Sequence, residues 1–68
     1  MDHQLAKSIL IVKIIELIAE KYRIPIEKAR DMLYHSNLIE LIDDDEMGLY
    51  GESPLYCFSL FEQEKNDK

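Results

Sequence analysis

Residues 5–22, LAKSILIVKIIELIAEKY, decide the architecture of this chain. On a helix advancing about 100° per residue, Lys13, Glu16 and Glu20 share one narrow sector, with Leu5 and Ile9 beside them. Leu10, Ile11, Val12, Ile14, Ile15, Leu17, Ile18, Ala19 and Tyr22 fill the rest of the cylinder, interrupted only by Lys7, Ser8 and Lys21 toward the ends. A surface helix needs an apolar stripe only about 100° wide, and this arc covers well over half the circumference. Both flanks therefore require cover, from the rest of the chain, from a second copy or from another protein. Ile11, Ile15 and Ile18 are the candidate seam residues for such an association.

The same stretch does not read as a membrane span. Lys13 and Glu16 fall in its middle, and its uninterrupted apolar runs are far below the ~20 residues that a bilayer core demands. It does not read as a secretory signal either, because Met1-Asp2-His3-Gln4 lacks a basic region and no small-residue cleavage site follows.

Downstream, the punctuation is regular. Pro25 pushes Ile24 into an extended conformation, ending the first helix near Tyr22 and opening a second over about 26–35. Its face of Glu27, Lys28, Arg30 and Asp31 reads as solvated, with Ile26, Ala29, Met32 and Leu33 inward. Asn37 followed by Glu40 matches a capping box for a short third helix that ends near Ile42 or Asp43. Ser53-Pro54 gives a cap and a first-turn proline for a fourth helix, about 54–64, rich in Leu55, Tyr56, Cys57, Phe58, Leu60 and Phe61. The fold class is all-α: one domain over 1–68, a small three- to four-helix bundle around a long N-terminal helix, with 1–4 and 65–68 as flexible ends.

Composition bounds the function. At 68 residues a single core contributes roughly 3–5 kcal/mol net, and a multi-residue catalytic cleft is hard to build. One cysteine, Cys57, excludes an intrachain disulfide and reads as cytoplasmic. Fourteen acidic against eight basic side chains give a charge of −6, with the basic residues scattered singly. Phosphate neutralisation needs clustered Lys and Arg, so direct nucleic-acid binding is disfavoured, and a basic protein surface would be steered toward the chain. The second and third helices superficially resemble a helix-turn-helix, but the latter is too short and too acidic to read a major groove.

The loop 43–52, DDDEMGLYGE, holds both glycines. Asp43, Asp45 and Gly48 echo the start of an EF-hand loop, but Met47 stands at its fifth position and Pro54 at its twelfth, where a bidentate Glu is required. Four successive acids, Asp43, Asp44, Asp45 and Glu46, oppose the dipole at a helix C-terminus, and folding gains nothing visible from them. They read as a contact patch beside Leu49 and Tyr50; the rival is a solvated turn with Tyr50 turned inward. His3 and His35 have no Ser or Cys partner arranged for catalysis, and no zinc, phosphate-loop or dinucleotide spacing is present. No cofactor, metal or enzymatic activity is expected.

The order of an apolar first helix, then YRIPIEKARDMLYHSNLIELIDDDE and GLYGESPLYCFSLFEQE, resembles a group of short bacterial proteins of unknown function. Their pattern of helix, Tyr-x-Ser, short helix, Asp-Asp-Glu-x-Gly-Leu-Tyr and Ser-Pro-x-Tyr is carried here by Tyr34, Ser36, Asp44, Asp45, Glu46, Gly48, Leu49, Tyr50, Ser53, Pro54 and Tyr56. The resemblance covers nearly the whole chain. Some members are similar in size and gene setting to antitoxin-like partners of toxin-type enzymes, which implies a protein-binding role and no catalytic residue. The expected function is a small acidic interaction module that binds another bacterial protein through an apolar helix face and an acidic loop. The alternatives are a structural homo-oligomer subunit and an acidic nucleic-acid mimic of phage origin.

Overall fold

The long apolar stretch forms helix α1, Gln4–Tyr22, in a computed structural model that describes residues 4–66. It stops because Arg23 takes a left-handed conformation at φ 55° and the Ile24 N–H turns back to the Ala19 carbonyl at 3.1 Å. Pro25 then leads into α2, Ile26–Tyr34, with its carbonyl accepting from Ala29 N–H at 3.0 Å. His35, expected inside α2, is instead its C-cap, and its imidazole Nδ1 lies 2.7 Å from the Asp31 carbonyl. That carbonyl already accepts the His35 backbone N–H at 3.1 Å, so a ring N–H donated there is a second bond to the same oxygen.

Helix α3, Asn37–Asp43, is capped one residue earlier than the Asn37–Glu40 box predicts. Ser36 is extended and its Oγ accepts from the Leu38 N–H at 3.1 Å. The Asn37 N–H is taken by a distant carboxylate, Glu64 Oε2 at 3.1 Å, so Glu40 has no capping part. After the acidic run, Gly48 adopts φ +67° with nothing within 4 Å of a Cβ placed there, so the left-handed turn and not crowding is what calls for glycine. That turn feeds a 3-10 helix at Leu49–Gly51 and then α4, Pro54–Asn66, whose cap is as expected: Ser53 Oγ accepts from the Tyr56 N–H at 3.1 Å. Of the ends expected to be flexible, Gln4, Lys65 and Asn66 are helical; 1–3 and 67–68 lie outside the described residues.

Helices α2 and α4 pack on α1, and α3 joins α2 to α4, giving an all-α bundle with no strand among the described residues. The core is Leu10, Ile14, Ile15 and Ile18 of α1 with Ala29, Leu33, Leu38, Ile42, Leu49, Cys57 and Phe61. Burying a side chain of Leu, Ile or Phe size contributes about 1.5–3 kcal/mol, so no single contact dominates. At the C-terminal end of α1, Lys21 Nζ pairs with Glu62 Oε1 at 2.7 Å and the Tyr22 hydroxyl donates to the other Glu62 oxygen. The same α4 therefore ties α1 through Glu62 and α3 through Glu64. No helix among the described residues is long and apolar enough to cross a membrane.

Candidate functional site

The acidic run is anchored from beneath by a lysine. Lys7 of α1 is buried, its stem lying along the core and its ammonium reaching the C-terminal end of α3. Nζ donates to the Asp43 carbonyl at 3.0 Å, pairs with Asp45 Oδ1 at 2.6 Å, stands 3.7 Å from Asp43 Oδ1 and lies 5.8 Å from the centre of the Tyr50 ring. A cation at this position meets the negative end of the α3 dipole as well as two carboxylates. Its hydrogen bond to Asp45 raises the Lys7 pKa above the ordinary lysine value, against the lowering effect of burial. Asp44 acts locally instead. Its Oδ1 accepts from the Glu46 N–H at 2.9 Å, the side-chain turn that Asp forms readily.

These contacts add a structural part to the acidic run expected as a contact patch. Asp43, Asp44, Asp45 and Glu46 are exposed, but folding does gain from two of them through Lys7. Leu49 is not beside them at the surface; the left-handed Gly48 turns it into the core, where it is 5% exposed. Tyr50 is half-buried, with its ring against Lys7.

Of the seam expected on α1, Ile11 and Ile15 line a groove against α2 and Ile18 is fully buried. Ile15 and Ile18 are core residues and Ile11 is half-buried, so the chain's own α2, α3 and α4 cover the side they occupy. The outward stripe is Leu5, Ile9 and Val12, exposed by 74%, 49% and 53%. Val12 opens onto a groove between α1 and α2 lined by Ile11, Ile15, Ile26 and Tyr34, with Glu16 and Arg30 at its edge. A second depression, between α1 and α3, shares Ser8, Ile11 and Tyr34 with the first and continues past Ile39 to Glu40 and Asp43. Together they form one trough along α1, with Tyr34 at the junction and more than half exposed.

Val12, Tyr34 and Arg30 are residues that the sequence reading does not assign to a partner surface, and Ile26, expected inward on α2, is half exposed. Ile26, Arg30 and Tyr34 recur every four residues and so form one ridge of α2, a spacing that could have found them. The missed signal for Val12 was its place beside Leu5 and Glu16, at the edge of the polar sector.

Chemistry is scarce elsewhere. Cys57 is buried, its thiol facing the Leu49 carbonyl at 3.9 Å, and burial, with the Glu52 charge second, pushes its pKa up, away from a reactive thiolate. Among the described residues no three His, Cys, Asp or Glu side chains converge as metal ligands. Compared with known protein families, characterised proteins and solved structures, the chain matches none.

Proposed function

We propose that this chain is a non-catalytic interaction module, an antitoxin-like or regulatory partner that binds another bacterial protein through the trough along α1. The observation that carries this reading is the exposed apolar lining of that trough. Val12, Ile26 and Tyr34 remain about half exposed in a 68-residue chain that buries Ile14, Ile15 and Ile18 of α1 in its core. Isolated exposed apolar residues are ordinary, but a concave set from two packed helices that includes an aromatic is the form that partner-binding pockets take. The acidic loop contributes long-range charge, and of its apolar residues Leu49 lies in the core while Met47 is exposed. The antitoxin-like form of the reading draws on the resemblance to short bacterial proteins.

The test is affinity isolation of the tagged chain at native expression in its host, with quantitative mass spectrometry comparing wild type and Val12→Asp. Val12 is about half exposed, so the variant is expected to keep its fold, which circular dichroism checks. A protein enriched with wild type and lost with Val12→Asp supports the reading. Equal recovery of every protein by the two forms rejects it.

A further inference from the structure

We infer that the occupant of the trough is an amphipathic helix about three turns long whose polar flanks are basic. The inference rests on the reading of the chain as an interaction module and names the chemistry of its partner.

Three features of the trough select this occupant. Its α1 wall runs from Gln4 to Glu16, which at 1.5 Å per residue is about 18 Å, room for a helix that places apolar anchors at i, i+3 or i+4, and i+7 over about 10 Å. The walls are helices on every side, and the described residues contain no sheet edge, so an extended peptide finds no backbone ladder to join. The rim is acidic at one end. At the α3 end Lys7 is shared by Asp43 and Asp45, so these two carboxylates and Glu40 together exceed it by two charges, while Glu16 and Arg30 balance at the other end.

Charge also argues against a second copy as occupant. Each chain carries −6, and two acidic rims brought together repel at the distance where an interface must form. A basic flank reverses that sign. Lys or Arg opposite Glu40 and Asp43 fixes the direction in which the helix lies, and a bulky apolar anchor sits against Tyr34 and Val12.

The experiment titrates the full 15N-labelled chain with two synthetic 18-residue helical peptides at physiological salt. Both carry leucines at i, i+4, i+7 and i+11; one has lysine at the flanking positions and the other glutamate. The lysine peptide is expected to bind with a dissociation constant on the order of micromolar and to shift the amides of Ser8, Val12, Ile26, Tyr34 and Glu40. Tyr34→Ala and Val12→Asp, both at exposed positions, should each weaken it by roughly tenfold, the scale of an interface anchor. Shifts centred on α4 or spread over the surface, or equal binding of the glutamate peptide, overturn the inference. So does a wild-type dimer in sedimentation whose contact maps to the same trough. Because the peptide comparison needs no variant, it stands even if one substitution unfolds the chain. A failed titration alongside a partner lost with Val12→Asp removes the basic helix and keeps the interaction module, whereas equal recovery by both forms removes the module itself.

Discussion

At the scale of single residues, the acidic run divides into separate roles. Asp45 holds Lys7 at 2.6 Å, and Asp44 closes a local turn through an oxygen that asparagine also possesses. Asp45→Asn is therefore expected to lower the denaturation midpoint and Asp44→Asn to leave it nearly unchanged, measured in urea at neutral pH; equal midpoints for the two variants would refute the division. Ser36 gives a second test at this scale. Loss of an N-cap oxygen destabilises by about 1 kcal/mol, so Ser36→Ala should cost about that much in a thermal melt and Glu40→Ala should cost little. The reverse ranking would restore the Asn37–Glu40 box. Sequence alone could not choose between these caps, because Ser36 and Asn37 are both good cap formers and adjacent. What chooses is Glu64, which arrives from α4 and takes the Asn37 N–H, a contact between residues 27 apart in the chain.

Between elements, the seam of α1 and α4 is set by one carboxylate. The hydrogen bond from Lys21, and after it the one from Tyr22, lowers the Glu62 pKa below the usual carboxylate range. A lowered folded-state pKa means stability that is present above the unfolded value, about 4.3, and is lost as pH falls through the folded one. Tyr22 runs the other way: its bond to Glu62 raises its pKa, so its contribution is present below the unfolded value, about 10, and fades as pH rises through the folded one. Glu62→Gln should flatten both limbs of a plot of melting temperature against pH, and a plot unchanged in shape would show that the seam does not couple to folding. The helices themselves were legible in local signals: the width of the α1 apolar arc, Pro25, and the Ser53-Pro54 pair. What was not legible is where those helices meet. Lys7 looked like an interruption of an apolar face because its partners, Asp43 and Asp45, lie far along the chain at the end of α3, and the trough was hidden because its lining is assembled from α1, α2 and α3 together.

Across the whole molecule, the radius of gyration of 11.4 Å is close to the ~11 Å expected for a compact chain of this length, so α1 is enclosed on its core side by its own sequence. A charge placed at Ile18, which is fully buried, therefore belongs to the class of substitutions that unfold a domain and not to those that split a dimer. Net charge of −6 and a Tyr-centred trough face outward together, and this pairing of long-range attraction with short-range apolar contact is what a partner would meet. The Lys7 contact also acts in time. It joins residues 36 apart, whereas α1 and α2 are linked by the short corner at Arg23–Ile24 and meet after little loop closure. The order expected on the way to the native state is thus an α1–α2 hairpin first, with the long-range polar contacts, the ammonium on the end of α3 among them, closing after the transition state has been crossed. Lys7→Met, which keeps the apolar stem and removes the charge, should then steepen nothing and slow nothing on the refolding arm of a chevron plot, while the unfolding arm rises. In that sense Lys7 is a latch that governs how long the closed molecule lasts once formed, and leaves how quickly it forms to the helices.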